Sequence, residues 1–406
     1  SENQAPKTLE AIQNPQCGWF YTANQKDFEK IPGSPIGYWV SNNIISAFSS
    51  EKPLKFYSPS YSGMSTTNNT RFLRNWQEVD CSKCKLDSEN KENEALNLKW
   101  FPYNKGGEFR KWFGNNTLVV NYFNDGAEIK FWVVNNPSDP KTTHWSRRLF
   151  NTEHFFKPGL TWSALTSGNI SFRYYPGGFI FDSKGPALLP KEDFNQEYIL
   201  GYVNSNVYMK FLKLLAPTLD FNKGPIESGP FIYSNSKVNS IQPLVLNNIN
   251  ISKTDWDSRE TSWDFKQNEL IRFKSETLKE SFNNYINYWD DQFYQLHENE
   301  EELNRQFIEI YGLQDELTPD VPLEEITILQ EETSIENGEL VFHADEVFAQ
   351  FVSYAVGCMF GRYSLDKEGL ILANQGETLQ DYLEKVGRGE EELTFVPDRD
   401  NIIPVL

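Results

Sequence analysis

Apolar and polar positions alternate in the first half of the chain in a way that predicts β-structure. The segments Leu118–Phe123 and Glu128–Val134 flank Asn124-Asp125-Gly126, and an Asp-Gly pair between two such segments is typical of a β-hairpin. Leu160–Leu165 and Ile170–Tyr175 flank a second short polar turn. We therefore predict a β-rich region built from hairpins.

The apolar period lengthens to that of a helix further along the chain. Apolar residues recur every four positions over 195–215, which predicts a helix that stops before Pro217. A longer helix is predicted over 266–311, with Gly312 as its C-cap and a last helix over 346–363. The apolar seam of the long helix spans fewer than three heptads, so we interpret it as internal packing rather than a dimerisation zipper. Its members are Leu278, Phe282, Tyr285, Trp289 and Leu296.

Three polar stretches separate these elements. Residues 1–60 contain Ile31-Pro32-Gly33-Ser34-Pro35 and are predicted to be extended. Residues 234–262 are rich in Asn, Ser and Asp and are predicted to form a linker. The polar loop Ser65–Arg71 leads into Arg71–Trp76, whose spacing is helical. The expected fold class is therefore α+β.

Charge divides the chain into two unequal parts. The net charge is −19, yet residues 1–250 carry 26 Lys and Arg against 22 Asp and Glu. Residues 251–406 carry 12 against 35. A mildly basic front part can meet phosphates, and an acidic rear part repels them, so we expect duplex affinity in residues 1–250. The alternative, that the acidic helices are simply well solvated, stays open.

Composition argues against a membrane-spanning protein and against a secreted, disulfide-rich protein. The chain is 39% apolar and contains no run of about eighteen apolar residues, so we predict no contact with a membrane. Its N-terminus lacks the basic and apolar stretches of a secretory signal, and four cysteines do not make a disulfide scaffold. We expect a cytoplasmic protein.

The motifs of methyl transfer and of metal binding are absent. Asn136-Pro137-Ser138 lacks the second proline and the aromatic residue with which amino-methyltransferases grip a flipped base. Gly106-Gly107 and Gly177-Gly178 lack the strand–turn–helix context of a donor site. Cys81-Ser-Lys-Cys84 is a single CxxC, and zinc needs four ligands. We predict no catalytic residue, no metal and no cofactor in this chain.

Cations interleaved with aromatic residues suggest nucleic-acid binding. Lys and Arg position a protein on phosphates, whereas Asn and Arg read base edges. The Ser65–Arg71 loop has the chemistry for reading bases, although such a loop can also be only a loop. The predicted DNA-binding residues are Asn68, Asn69, Arg71, Arg74, Lys105, Arg110, Lys111, Arg147, Arg148, Trp162, Arg173 and Lys184.

Short phrases along the whole chain carry a family resemblance. They are Lys30–Val40, Asn69–Arg74, Gly159–Ser163, Leu200–Ser205, Ala216–Phe221, Thr261–Phe265, Glu302–Arg305, Ile310–Leu313 and Ser353–Arg362. Ile31-Pro-Gly-Ser-Pro35 and Gly357-Cys-Met-Phe-Gly-Arg362 are the most specific of them. Together they resemble the PglX family, the adenine-specific DNA methyltransferases of BREX phage-defence systems. The stretch Leu200–Phe221 also resembles the end of target-recognition domains in Type I specificity subunits.

The resemblance implies a region downstream of a methyltransferase domain that would hold S-adenosylmethionine, and a start at Ser1 fits such a fragment. Residues 1–60 would be an extended linker from that absent domain, 61–250 a β-rich target-recognition domain, 251–320 a helical spacer and 321–406 an acidic helical segment. Double-stranded DNA, other BREX subunits and phage DNA-mimic inhibitor proteins are the implied partners. The alternatives are a protein-interaction scaffold that docks defence subunits through its acidic helices, and an unrelated hydrolase.

Overall fold

The computed structural model describes residues 4–86, 98–166, 168–216 and 221–398. In these ranges the chain mixes helices with short strands, which confirms the predicted α+β class. The helices are α1 (Gln4–Gln13), α2 (Gln25–Phe28), α3 (Asn42–Ser50), α4 (Asn69–Phe72), α5 (Phe123–Asn135), α6 (Gln196–Asn204), α7 (Asn206–Leu215), α8 (Lys223–Ser228), α9 (Asn235–Asp257), α10 (Glu269–Arg272), α11 (Leu278–Tyr311), α12 (Ala344–Met359) and α13 (Leu379–Val386). The strands are β1 (Ser60–Tyr61), β2 (Leu73–Asn75), β3 (Trp100–Asn104), β4 (Leu118–Asn121), β5 (Gly159–Trp162), β6 (Phe172–Tyr175), β7 (Ile180–Phe181), β8 (Ala187–Leu188), β9 (Thr333–Glu336) and β10 (Glu339–Phe342). Among these helices we find none with the length and apolar character needed to cross a membrane.

The second of the two predicted hairpins is present. β5 and β6 pair antiparallel, with Leu160 opposite Tyr174 and Trp162 opposite Phe172. They belong to a four-stranded sheet of order β1-β8-β5-β6. Its buried apolar side chains pack with those of α6, α7, α9 and α11 in the main hydrophobic core.

A second sheet carries a smaller core. Its order is β2-β4-β3-β7, and β3 and β7 are parallel. Helix α5 covers the sheet by packing Ile129 and Val133 with Phe72, Tyr103 and other apolar residues. We call this sheet, together with α4, α5 and residues 144–156, the small lobe.

The hairpin predicted at Asn124-Asp125-Gly126 is wrong. Leu118–Asn121 is a strand, but Glu128–Val134 lies in α5. The three turn residues have φ values of 49°, 55° and 68°, all in the left-handed region, so the chain leaves β4 and enters a helix instead of returning as a strand. In that helix Ile129 and Val133, four residues apart, are both buried.

Two segments predicted to be irregular contain helices. Within 1–60 the structure has α1, α2 and α3 rather than one extended stretch. Helix α3 begins where the Ser41 side chain accepts the backbone N–H of Ile44 at 3.2 Å, and Ile44 is buried in the main core. The linker predicted over 234–262 is mostly α9. That helix crosses residue 250, where the sequence predicted the end of the recognition domain.

The other predicted helices are present with local breaks. The 195–215 helix is divided into α6 and α7 at Ser205, and the end expected at Pro217 lies outside the described residues. The 266–311 helix is α10 followed by α11, and Gly312 ends α11 with a left-handed φ of 63°. The seam packs internally, as expected, since its buried members lie in the main core. They are Tyr285, Trp289 and Leu296.

The acidic C-terminal segment is not purely helical. α12 covers most of the helix predicted over 346–363. Before it, β9 and β10 form an antiparallel hairpin that the sequence analysis did not predict. The turn of this hairpin contains Asn337 and Gly338, both with left-handed φ.

Buried ion pairs join the front and rear parts of the chain. Arg110 Nη2 lies 2.5 Å from Asp255 Oδ2, and Lys111 Nζ lies 2.6 Å from Glu300 Oε2. All four side chains are buried, and Asp255 also contacts Arg259 at 2.9 Å. Part of the rear acidity therefore neutralises front cations inside the protein instead of facing solvent.

Candidate nucleic-acid interface

The polar loop Ser65–Arg71 leaves the small lobe at a fixed point. The Met64 N–H donates to the Phe181 carbonyl at 3.0 Å. At Gly63, a Cβ atom would lie 1.6 Å from the same carbonyl oxygen, so only glycine allows this approach. Further on, the Asn68 side chain caps α4 by accepting the backbone N–H three residues later at 3.1 Å. Both ends of the loop are thus anchored.

The predicted DNA-contact residues Asn69, Arg71 and Arg74 differ in whether their side chains face solvent. Arg71 is exposed and donates from Nε and Nη2 to Glu128 at 3.0 and 2.8 Å. Asn69 is exposed, and its Oδ1 accepts the Thr66 hydroxyl at 2.6 Å. Arg74 lies in β2 rather than in the predicted helix, and it donates to two backbone carbonyls at 2.6 Å. Arg71 and Asn69 therefore face solvent, whereas Arg74 stabilises the local turn.

Arg147 and Arg148 lie beside this loop. The Ser65 N–H donates to the Arg148 carbonyl at 2.7 Å, which ties the two segments together. Arg147 is exposed, and the Arg148 guanidinium contacts Asp139 at 2.5 Å. The structure thus brings five predicted residues into one region of the small lobe, which we call the loop face. They are Asn68, Asn69, Arg71, Arg147 and Arg148.

Lys105 and Lys184 form a separate pair at the end of β3. A Cβ at Gly106 would lie 3.1 Å from the Lys184 carbonyl oxygen, so the two backbone segments touch. Lys105 borders a cavity of about 780 Å³ whose walls include Trp256 and Arg259. The contacts that hold the loop face together do not involve this pair.

Four predicted contact residues are buried. Arg110 and Lys111 are held in the ion pairs described above. The Trp162 indole N–H donates to the Phe221 carbonyl at 2.9 Å. Arg173 is 2% exposed, and burial, with the nearby Arg110 guanidinium, lowers its pKa to about 10. DNA cannot reach these side chains in the folded protein, so we assign them to the core rather than to the interface.

Helix α5 contributes residues that the sequence analysis missed, because its sequence was interpreted as a strand. Lys130 Nζ lies 4.6 Å from the ring centroid of Trp145, and the Arg71 guanidinium lies 5.1 Å from that of Trp132. Between them Phe131 is 70% exposed. The four-residue spacing of the buried apolar positions was the available signal for a helix.

The described residues do not fit a methyl-donor site. Gly106-Gly107 follows β3 without a helix after it, and Gly177-Gly178 connects β6 to β7. Asn136 ends α5, and its Oδ1 accepts the Ser138 N–H at 3.0 Å in a local turn. We therefore derive no step of methyl transfer from these residues.

Cys81 begins a single 3-10 turn, and Cys84 is the residue that ends it. Burial raises the pKa of the Cys81 thiol and raises that of Cys84 to about 12. Within the described ranges, no group of three or more His, Cys, Asp or Glu side chains is placed to hold a metal ion. The absence of zinc stays a prediction.

Two curated methyltransferases are similar to the chain over nearly its whole length. No protein-family model matches the chain. The chain is 37% identical over 401 residues to the adenine-specific methyltransferase PglX of Lacticaseibacillus casei (strain Zhang), a match that covers 97% of this chain and 31% of that protein. It is 34% identical over 412 residues to the adenine-specific methyltransferase BrxX of Escherichia coli O9:H4 (strain HS), covering 100% and 32% respectively. The chain matches a segment of PglX-type methyltransferases.

This match confirms the resemblance that the short phrases indicated. The chain spans about a third of the length of these curated relatives. The similarity to PglX and BrxX extends over both the small lobe and the acidic part. The two parts that differ in charge therefore match one continuous stretch of each relative.

Proposed function

We propose that this chain is the DNA target-recognition region of a site-specific adenine methyltransferase that acts in phage defence. The observation that carries the proposal is the loop face, where a hydrogen bond joins the Asn-rich loop to Arg147 and Arg148. Its chemistry combines side chains that read bases with cations that bind phosphate. The relatives are named as adenine-specific methyltransferases, and an enzyme of this kind that is also site-specific must read the bases around its target adenine.

The roles divide by chemistry. Arg147 is exposed and suited to a phosphate, whose contact is independent of sequence. Asn69 presents an amide, the group that pairs with adenine through two hydrogen bonds in the major groove. Asn68 caps α4 with its side chain, so its role is to position the loop. Methyl transfer and S-adenosylmethionine binding are assigned to parts of the relatives that this chain does not cover.

Duplex binding by the full chain at several salt concentrations tests the proposal. We expect Arg147→Ala to weaken binding to every sequence and to reduce the slope of log affinity against log salt by about 1. Arg305→Ala, an arginine change on the acidic helix α11, is the matched control and is expected to change neither quantity. A wild-type chain without measurable duplex affinity at low salt overturns the proposal.

A second measurement separates base reading from phosphate binding. Asn69→Ala is expected to change the ranking among duplexes of different sequence while the salt slope stays at the wild-type value, because the side chain contacts no phosphate in this assignment. Equal losses on all sequences would instead place Asn69 at the sugar–phosphate backbone.

A protein-interaction scaffold is the second candidate, and α12 favours it. Val352, Val356 and Phe360 follow each other at four-residue spacing and are 58%, 40% and 39% exposed. Such an apolar row within the acidic part suits another protein rather than DNA. In this case Val352→Asp should abolish co-purification with a purified subunit of the same defence system and leave duplex affinity unchanged. Co-purification that survives Val352→Asp rules out this row as the contact.

A further inference from the structure

The solvent-exposed side of α5, which we call its crest, has no role in the proposed function. Ile129 and Val133 point into the core, so residue 131 lies on the opposite side of the helix. Phe131 is 70% exposed there, and Val134 is 38% exposed. An aromatic ring at that exposure buries little apolar surface and therefore adds little to the stability of the fold.

Cations flank this crest on both sides. On one side Arg71 lies between Glu128 and the Trp132 ring. On the other side Lys130 pairs with Asp125 and lies over the ring of Trp145, and Arg147 and Arg148 follow Trp145 closely in the chain. Across residues 121–148 and the Ser65–Arg71 loop, five Lys and Arg stand against three Asp and Glu. Charge complementarity therefore favours an anionic partner on both flanks of an apolar apex.

We propose that Phe131 is an apolar wedge that inserts between base steps of duplex DNA while the flanking cations hold the two phosphate backbones. This inference rests on the proposed function and adds the mode of binding. Proteins that place Phe or Leu between base pairs unstack one step and bend the duplex by about 20–90°. A helix crest with cations on both flanks has the geometry for this, because a groove presents phosphates on both sides and bases in the middle.

An inserted Phe131 ring has two consequences for duplex binding that phosphate contacts alone do not have. It implies that the bound duplex is bent and that the apolar ring carries part of the affinity without contributing to the salt dependence. Loss of a base–aromatic contact is expected to weaken binding about tenfold. Loss of a phosphate contact changes the salt slope instead.

The experiment uses the full chain and a mixed-sequence duplex of about 20 base pairs with a donor and an acceptor dye at its two ends. We expect wild-type protein to raise energy transfer on binding, since bending shortens the end-to-end distance. Phe131→Ala should bind about tenfold more weakly, with the wild-type salt slope and without the rise in energy transfer at saturation. Phe131→Trp should keep both affinity and bending. Phe395→Ala, the same change at an exposed phenylalanine of the acidic part, is the control and should match wild type.

The outcomes distinguish this inference from the one on which it rests. If wild type and Phe131→Ala bind with equal affinity and equal energy transfer, the wedge is wrong, while duplex recognition by the loop face stands. If wild type does not bind the duplex at low salt, the proposed function itself fails. Phe131 is exposed, so unchanged thermal unfolding of Phe131→Ala is expected and confirms that the variant is folded.

Discussion

At the scale of single residues, the buried carboxylate of Asp255 links two arginines. It accepts from Arg110 at 2.5 Å, contacts Arg259 at 2.9 Å and also accepts the Leu329 N–H at 2.9 Å. Asp255→Asn keeps the shape but removes the charge that pairs with the buried Arg110 guanidinium, and it leaves Arg259 with Glu332 as its charged partner. We expect a loss of about 3–5 kcal/mol in the free energy of unfolding, measured by urea denaturation. The change Asp291→Asn at an exposed position of α11 is the control and should fall within about 0.5 kcal/mol of wild type.

The same carboxylate makes stability depend on pH. Burial by itself raises the pKa of Asp255, but Arg259 and Arg110 outweigh it, so the pKa lies below its ordinary value. A lowered pKa stabilises the folded state above about pH 4 and loses this contribution as the pH falls through the folded-state value. The temperature midpoint of unfolding should therefore fall as the pH is lowered below about 4, and it should fall less in Asp255→Asn. Equal slopes in both proteins would contradict this role.

Burial of the Cys84 thiol gives a prediction about its chemical reactivity. Because burial raises the Cys84 pKa to about 12, its reactive thiolate is scarce at neutral pH. In native protein we expect iodoacetamide to label Cys84 much more slowly than it does in urea, as followed by mass spectrometry of the peptides. Rapid labelling of Cys84 in the native protein would show that the CxxC turn is open.

At the scale of elements, the sequence predicts helices best where buried positions are apolar. The seam of α11 meets this condition, and its helix was predicted. In α9 the buried face includes Asn248, Ser252 and Asp255, so polar side chains interrupt the apolar period and the segment resembles a linker. The pairing of Asp255 with Arg110, distant in sequence, explains why a charge lies there. No local pattern contains that information.

Helix α5 shows a different limit. Ile129, Phe131 and Val133 alternate as in a strand, and a strand would place all three on one face. The helix instead buries the first and last and exposes Phe131. Three of the predicted contact residues, Asn69, Arg71 and Arg147, are exposed, and their contact with DNA stays a prediction. The neighbouring helix α5 was missed for the same reason that the hairpin was wrong.

The anchor of the loop gives a prediction about this element. Gly63→Ala would place a methyl group 1.6 Å from the Phe181 carbonyl oxygen, so the backbone must move and the Met64 hydrogen bond is strained. We expect a loss of about 1–3 kcal/mol in the free energy of unfolding, together with weaker duplex binding. Gly224→Ala lies in α8 with open space around its Cβ, and it should be neutral or slightly stabilising.

At the scale of the whole molecule, the charge asymmetry does not separate two independent domains. The rear part supplies Asp255 and Glu300 to buried cations of the front part. It also supplies α11, whose Phe307 and Tyr311 pack against Tyr202 of α6 at ring-centroid distances of 5.7 Å. The acidic part thus completes the core that supports the small lobe, whatever its outer surface binds.

This dependence predicts the behaviour of a truncated chain. A protein that ends at residue 250 keeps Arg110 and Lys111 but loses Asp255 and Glu300, which pair with them, and it also loses the buried face of α11 that fills the main core. Each large apolar side chain missing from a core costs about 2–5 kcal/mol, and several such losses reach the total stability of a typical domain, about 5–15 kcal/mol. We expect no cooperative thermal transition by circular dichroism and rapid proteolysis, whereas the full chain unfolds in one sharp step. In the full chain Glu300→Gln, which keeps hydrogen-bonding ability but removes the charge, should lower stability without abolishing the fold. A cooperative transition in the 1–250 protein would show instead that the front part is an autonomous domain, with Arg110 and Lys111 able to reach solvent.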